Sequence, residues 1–171
     1  PWSGKLALIT GASSGIGAAT ARLLAQRGLQ LLLTARRVDR LQSLADEIRA
    51  DGGEAEVLVA DLEQPAERER LTAEVMQAFG CPDVLVNNAG MGWYGYYADM
   101  PPELAHRLLE LNVTAVMDLT RQFLPAMRQR RSGAIINISS IAGSIPSQGI
   151  AMYAGTKAFL NAFTPALHRE M

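Results

Sequence analysis

The sequence is poor in the features on which secreted, metal-binding and nucleic-acid-binding proteins depend. Its one cysteine, Cys81, excludes an internal disulfide and a cysteine-cluster metal site. Cationic residues are not in excess, since 16 Lys and Arg residues stand against 17 Asp and Glu residues and the net charge is −1. A general nucleic-acid binder needs a basic face to neutralise phosphates. We therefore expect neither a metal site nor a nucleic-acid partner.

Long hydrophobic runs are missing too. No apolar run approaches the roughly 20 residues that a membrane-spanning helix needs, and no charged-then-apolar leader opens the chain. We expect a cytoplasmic protein without membrane contact. A length of 171 residues suits one domain, because two domains would each be small. The prediction is a single domain over residues 1–171.

What the chain does contain is an alternation of short apolar runs with longer amphipathic segments. The short runs predict strands at residues 6–10, 29–34, 54–60, 83–87 and 134–139. The longer segments predict helices at about residues 16–27, 39–51, 65–79, 102–129 and 150–171. This alternation of strand and helix is typical of α/β proteins.

The predicted strands are nearly unbroken apolar runs, as in strands that are buried on both faces. The pattern predicts a parallel sheet with helices on both sides, the doubly wound α/β or Rossmann fold. Within the first helix we expect Ala19, Leu23 and Leu24 to face the core and Gly28 to end the helix. Asp39 is predicted to cap the second helix.

The turn between the first strand and the first helix is rich in glycine and reads Thr10-Gly11-Ala12-Ser13-Ser14-Gly15-Ile16-Gly17. Gly11 permits a tight turn, Gly15 leaves room for a pyrophosphate, and Gly17 lets helix and strand pack closely. The helix N-terminus offers N–H groups and a partial positive charge to an anion. A plain strand–turn–helix connection is the alternative. No Lys followed by Ser or Thr comes after the turn, which excludes a nucleoside-triphosphate P-loop.

The residues after the second strand indicate which dinucleotide would bind. Ala35 stands where an NAD-binding protein usually has a carboxylate for the ribose 2′-hydroxyl. Arg36 and Arg37 follow it, and a guanidinium group matches the oxygens of a 2′-phosphate. Asp39 is the rival acid, about 20 residues downstream of the glycines. The sequence predicts a preference for NADP(H), with NAD(H) as the alternative.

Tyr153 and Lys157, in the last predicted helix, form a candidate acid–base pair because residues four positions apart share a helix face. An isolated tyrosine, with a pKa of about 10, is a poor base near neutral pH. A lysine ammonium about 4 Å away, at an effective dielectric constant of about 20, could bring such a pKa close to 7. Ser140 follows a strand, where its hydroxyl could hold a substrate oxygen. Taken alone, such a pair is also common on ordinary helix surfaces.

Further motifs complete the pattern: Asn87-Asn88-Ala89-Gly90 after the fourth strand, Asn112 in the long helix, Ser139-Ser140 after the fifth strand, and Tyr153-Ala154-Gly155-Thr156-Lys157. Together with the glycine-rich turn, this set resembles the short-chain dehydrogenase/reductase family in its order and spacing from residue 5 to the chain end. The resemblance implies an NADP(H)-dependent oxidoreductase that interconverts a carbonyl and an alcohol.

The resemblance also implies roles for individual residues. Tyr153 would be the catalytic acid/base, and Ser140 would stabilise the substrate oxygen. Lys157 would tune Tyr153 and bind the nicotinamide ribose, and Asn112 would support a water relay that feeds protons to Lys157. Asp61 and Leu62 would flank the adenine. The residues expected to bind the cofactor are Gly11, Ser13, Ser14, Gly15, Ile16, Gly17, Arg36, Arg37, Asp61, Leu62, Asn88, Ala89, Gly90, Tyr153 and Lys157.

Two other functions account for parts of the sequence. A nucleotide-binding regulatory or scaffold protein would use the same fold without turnover, but the set of Ser140, Tyr153 and Lys157 argues against it. A methyltransferase would leave the spacing of Tyr153 and Lys157 unexplained. The partner that we expect is a small carbonyl or alcohol substrate. The family resemblance implies a homodimer or homotetramer, paired through the two longest helices.

The end of the chain departs from the family pattern. Whole family members continue with further strands and helices and a mobile segment over the substrate, so we expect these residues to be the ordered part of a longer chain. As written, residues 134–139 would form an exposed apolar sheet edge. Residues 91–97 are crowded with aromatic side chains, which suits either the wall of a site for an apolar or ring-bearing substrate or a packed loop.

Overall fold

The first strand lies at the centre of a five-stranded parallel sheet. The computed structural model describes residues 2–170. Its strands are β1 Leu6–Thr10, β2 Gln30–Thr34, β3 Glu54–Val57, β4 Val84–Asn87 and β5 Ala134–Asn137. Their order across the sheet is β3-β2-β1-β4-β5, and every neighbouring pair is parallel. The direction of winding reverses at β1, which opens a crevice at the carboxyl ends of β1 and β4, where such sheets bind ligands.

Helices cover both faces of the sheet and bury its apolar side chains. They are α1 Gly15–Gln26, α2 Val38–Ala50, α3 Pro65–Ala78, α4 Pro102–Leu109, α5 Ala115–Arg130 and α6 Ala151–Glu170. On one face, residues of α1 and α2 pack with Ala7 and Ile9 of β1. On the other face, residues of α3 and α5 pack with Leu8 of β1 and Leu85 of β4. The predicted doubly wound parallel sheet is confirmed.

The buried face of α1 agrees with the predicted one only at Leu24, which is half-buried and packs against the core. Ala19 and Leu23 are exposed, whereas Gly17, Ala18 and Ala21 are buried against the sheet. Small residues on the inner face let the helix axis approach the strands closely. The side of α1 that is buried is therefore the side with the smallest side chains, not the side with the largest apolar ones. The predicted end of the helix is confirmed, because α1 stops at Gln26, two residues before Gly28.

The start of α2 and the end of β3 also differ from the predictions. α2 begins at Val38 with Arg37 in the N-cap position, so Asp39 lies in the first turn and does not cap the helix. An acidic side chain is still favourable there, next to the positive end of the helix dipole. β3 ends at Val57, three residues earlier than expected. Its pairing with β2 continues beyond that point only as isolated backbone hydrogen bonds.

The predicted long helix over residues 102–129 consists of two helices joined by a π-helical turn. The turn spans Glu110–Thr114, between α4 and α5. A π turn contains one more residue than an α-helical turn, and such insertions are frequent at functional sites. Asn112 lies in this turn and is buried.

β5 forms one edge of the sheet, as predicted, and Ile136 in it is 44% exposed. α6 continues as a helix through Pro165 to Glu170. Within residues 2–170, no helix combines the length and the apolar character needed to cross a membrane. Across the same residues, no group of three or more His, Cys, Asp and Glu side chains is placed to hold a metal ion.

Candidate functional site

The crevice at the carboxyl ends of the strands is a cavity of about 520 Å³. Its lining includes residues that follow each of the five strands. The predicted site residues that line it are Gly11, Ser13, Ser14, Ile16, Arg36, Arg37, Asp61, Leu62, Asn88, Ala89, Gly90, Tyr153 and Lys157. The predicted residues that are not part of this lining are Gly15, Gly17, Asn112 and Ser140.

The glycine-rich turn brings the start of α1 close to the loop after β4. A Cβ atom on Gly17 would lie 2.5 Å from the backbone oxygen of Gly11 and 2.5 Å from Nδ2 of Asn88. Gly11 has φ +65, and a Cβ atom there would lie 2.8 Å from the Cα atom of Ala89. In contrast, the space beside Gly15 is open to a distance of 4 Å. The turn therefore packs tightly on its inner side and leaves room at the N-terminus of α1.

Hydrogen bonds tie this turn to the loop after β4. Asn88 Nδ2 donates to the carbonyl oxygens of Thr10 at 2.9 Å and Gly11 at 3.2 Å. Thr10 Oγ1 accepts from the backbone N–H groups of Asn88 and Ala89, both at 2.9 Å. The Asn88 side chain thus fixes the two loops that flank the crevice.

Two arginines form a cationic end of the cavity. Arg37 donates to Ser13 Oγ at 2.8 Å and to Ser14 Oγ at 2.7 Å, so the serines of the glycine-rich turn hold its guanidinium group. Arg36 Nη1 donates to Glu63 Oε1 at 2.8 Å and lies 4.0 Å from Asp61 Oδ1. In the part of the chain that the structure describes, no Asp or Glu pairs with Arg37.

Tyr153 and Lys157 lie at the opposite end of the cavity on the first two turns of α6. Lys157 Nζ is 5.9 Å from the centre of the Tyr153 ring and donates to the carbonyl oxygen of Ile138 at 2.7 Å. The lysine side chain is buried, and burial lowers the pKa of its ammonium group. The two side chains therefore form a close pair in which a cation faces an aromatic ring.

Asn112 is held behind the cavity by hydrogen bonds on both ends of its amide. Its Oδ1 accepts from the N–H of Met91 at 2.9 Å, and its Nδ2 donates to the carbonyl oxygen of Met91 at 2.9 Å. Nδ2 also donates to Thr156 Oγ1 at 3.0 Å, which links the π-helical turn to α6. The side chain thus joins the loop after β4 to the helix that carries Tyr153 and Lys157.

The two serines after β5 have different environments. Ser139 lines the cavity, and its Oγ lies 3.1 Å from the carbonyl oxygen of Lys157 and 2.6 Å from Asn161 Oδ1. Ser140 caps a short 3₁₀ helix at Ile141–Gly143, where its Oγ accepts from the N–H of Ala142 at 3.2 Å. Its side-chain oxygen is engaged with the backbone in this conformation.

The aromatic segment over residues 91–97 folds against the loop that leads into α6. The N–H of Gly95 donates to the carbonyl oxygen of Gly149 at 2.8 Å, and Gln148 Nε2 donates to Tyr96 Oη at 3.1 Å. Tyr94, Tyr96 and Tyr97 remain largely exposed beside these contacts. Met91 and Gly92 of this segment line the cavity, whereas the three tyrosines lie outside its lining.

Glu63 and Arg107 are the residues of the cationic end that the sequence reasoning missed. Glu63 is buried beside Arg36, and Arg107 on α4 reaches it across 44 residues of sequence. The sequence signal for Glu63 was its position two residues after Asp61, which was itself a predicted site residue. No spacing rule connects it to Arg107, because the pair depends on where α4 lies relative to the loop after β3.

Comparison with known proteins finds similar sequences along nearly the whole chain. The sequence profile of the family described as short chain dehydrogenase matches residues 5–171. A short chain dehydrogenase of Pseudocercospora fijiensis is 39% identical over 170 residues, which covers 98% of this chain and 55% of the relative. The 3-oxoacyl-(acyl-carrier-protein) reductase of Escherichia coli is 36% identical over 170 residues, which covers 99% of this chain and 68% of the relative. The chain spans roughly half to two thirds of the length of these relatives.

A solved structure agrees with both the fold and the sequence similarity. The crystal structure of a metagenomic short-chain oxidoreductase in complex with NADP matches this chain with a TM-score of 0.95 and 43% identity. The match covers 99% of this chain and 77% of the other. The profile match from residue 5 onward and the shared parallel sheet lead to one conclusion: the chain belongs to the short-chain dehydrogenase family.

Proposed function

We propose that the chain is the cofactor-binding and catalytic part of an NADP(H)-dependent oxidoreductase that interconverts a carbonyl and an alcohol. The observation that carries this proposal is the single cleft that joins a cationic end, at Arg36 and Arg37, to Tyr153 and Lys157. A dinucleotide has the same layout, with a phosphorylated adenosine at one end and the reactive nicotinamide at the other.

The residues of the cleft match the parts of NADP(H) in charge and shape. The open space beside Gly15 at the start of α1 suits the pyrophosphate, because helix N-termini favour anions. Arg37 offers a guanidinium group held by hydroxyls rather than by a carboxylate, which suits the 2′-phosphate. Asp39, the rival partner for a 2′-hydroxyl, is exposed outside the lining of the cavity. The NADP complex of the metagenomic relative supports the same assignment.

The proposed chemistry assigns proton transfer to the protein. When bound, the nicotinamide supplies or accepts the hydride. Tyr153 would donate a proton to the substrate oxygen during reduction and take it back during oxidation. Lys157, whose ammonium lies 5.9 Å from the centre of the Tyr153 ring, would stabilise negative charge on the tyrosine oxygen. Ser140 would turn from its backbone contact to hold the substrate oxygen, and Asn112 would keep α6 in register with the loop after β4.

We infer a substrate with an apolar or ring-bearing carbonyl or alcohol. Gly92 lies beside the ring of Tyr153, where a Cβ atom on it would be 3.8 Å from the ring. The exposed rings of Tyr94, Tyr96 and Tyr97 lie farther along the same segment. Aromatic walls favour apolar and planar ligands. We also propose a single domain that forms a homodimer or homotetramer through its two longest helical segments, the one over residues 102–129 and α6.

The direct test of this function is the substitution Tyr153→Phe, which removes the proton-transferring hydroxyl and keeps the ring. We expect NADPH-dependent reduction of aryl and alkyl ketones to fall by about 10²–10⁴-fold, the usual contribution of a general acid. NADPH binding should stay within about threefold of the wild type. The control is Ser43→Ala, which removes an exposed hydroxyl on α2, outside the lining of the cavity. Wild-type protein that binds NADPH but reduces no ketone in a broad screen would instead favour the regulatory or scaffold alternative.

A further inference from the structure

Glu63 is an acidic residue at the cationic end of the cleft, and it has two arginine partners. Its Oε1 accepts from Arg36 Nη1 at 2.8 Å. Arg107 donates from Nε to Oε2 at 2.6 Å and from Nη2 to Oε1 at 3.2 Å, so it grips the carboxylate with both nitrogens. The Glu63 side chain is 7% exposed, whereas those of Arg36 and Arg107 are 56% and 50% exposed. A buried carboxylate therefore sits between two half-exposed cations.

Arg107 does not line the cavity itself. It stands on α4 and contacts the carboxylate of Glu63 from outside the cleft, while Arg36 lines the cleft and contacts the same carboxylate from inside. The hydrogen bonds that connect Arg107 to the lining of the cleft therefore run through Glu63 to Arg36.

The charge balance of this trio depends on Arg107. Asp61, 4.0 Å from Arg36 Nη1, is a second carboxylate at this end of the cleft, so with both arginines present two positive charges balance two negative ones. If Arg107 were absent, Arg36 alone would face both carboxylates, and the net negative charge would repel a nearby phosphate. Without the hydrogen bonds from Arg107, the Glu63 side chain would also be held less firmly, and so would Arg36, which donates to it. Both effects act in the same direction, against an anion beside Arg36.

We propose that Arg107 is a positioning residue for NADP(H) preference: it anchors and neutralises Glu63, so that Arg36 stays available to the 2′-phosphate. This inference rests on the proposed binding of NADP(H) in the cleft. Because NAD(H) lacks the 2′-phosphate, the contribution of Arg107 belongs to NADPH binding and not to NADH binding.

The ionisation of Glu63 agrees with this role. Hydrogen bonding from Arg107 holds the pKa of the Glu63 carboxyl below its ordinary value, against the opposing effect of burial. The negative charge that Arg107 neutralises is therefore present throughout the neutral pH range in which cofactor binding is measured.

The test is a calorimetric titration of NADPH and NADH into the wild-type chain and the variant Arg107→Met. We expect the dissociation constant for NADPH to rise about tenfold, equivalent to roughly 1.4 kcal/mol, and the constant for NADH to change less than twofold. The matched control is Arg22→Met, which removes an arginine that grips Glu47 in the same two-nitrogen manner on the outer side of α1 and α2. It should change neither constant.

A second pair of variants, Glu63→Gln with and without Arg107→Met, tests whether the effect of Arg107 on NADPH binding requires the charge of Glu63. In a Glu63→Gln background the Glu63 charge that Arg107 neutralises is gone, so Arg107→Met should change the NADPH constant less than twofold. A tenfold loss that persists in this background would overturn the inference, as would equal weakening of NADPH and NADH or no change in either. If the wild type binds NADH as tightly as NADPH, the proposed cofactor preference fails and this inference fails with it. If the wild type prefers NADPH and Arg107→Met leaves that preference intact, the inference alone fails.

Discussion

At the scale of single residues, the site depends on where side chains are missing as much as on where they are present. Gly17 lies at the crossing of α1 with the turn after β1, and a Cβ atom there would press against the backbone oxygen of Gly11. Backbone atoms cannot move aside as the end of a flexible side chain can. Gly155, between Tyr153 and Lys157 on α6, has no atom within 4 Å of the position that a Cβ atom would take. The two glycines therefore respond differently to the same change.

The substitution Gly17→Ala should lower the free energy of unfolding by about 1–3 kcal/mol, because it overpacks a rigid contact. Gly155→Ala should raise it by about 0.5–1 kcal/mol, because alanine favours a helix interior more than glycine does. Urea denaturation of both variants and of the wild type measures the difference. Equal effects of the two substitutions would contradict the close approach at Gly17.

At the scale of elements, the helices that carry the site show unusual local geometry. The π-helical turn places Asn112 between the loop after β4 and α6, so one side chain fixes the relative positions of three elements. Arg131, the residue that follows α5, has φ 52, in the left-handed region that glycine usually occupies at helix ends. Arg131 is the one residue other than glycine with a positive φ in the described part of the chain.

The substitution Arg131→Gly should raise the free energy of unfolding by about 0.5–1 kcal/mol, because it relieves the cost of a left-handed conformation for a residue with a Cβ atom. Arg128→Gly provides the matched control. It removes a similar charge from the last turn of the same helix, but at a helical position, and should lower stability by about 1 kcal/mol. Thermal and urea denaturation should rank the variants in the order Arg131→Gly, wild type, Arg128→Gly. A reversed order would contradict the left-handed end of α5.

At the scale of the whole molecule, the sequence contains most of the information on the fold and less on the connections within the site. Buried parallel strands leave unbroken apolar runs, and glycine marks the turn at Gly11, so the sheet and its ligand-binding end are predictable. The π-helical turn is not, because one inserted residue barely changes an amphipathic pattern.

Side-chain contacts between distant segments are the other part that the sequence does not reveal. Glu63 and Arg107 meet because α4 lies against the loop after β3, and no local pattern encodes that placement. The inner face of α1 was predicted only in part, for a related reason. The pattern of large apolar residues predicts that Leu23 is buried, but the helix lies so close to the sheet that the small residues Ala18 and Ala21 are buried instead.

The assembled molecule brings the carboxyl ends of five strands to one cleft, with cations at one end and Tyr153 and Lys157 at the other. The most direct test of this account is a titration of NADPH and NADH, followed by quenching of tryptophan fluorescence. We predict that NADPH binds at least about tenfold more tightly, a difference of roughly 1.4 kcal/mol, and that this preference is lost in the double variant Arg36→Ala with Arg37→Ala. NADH binding that equals or exceeds NADPH binding in the wild type would contradict it.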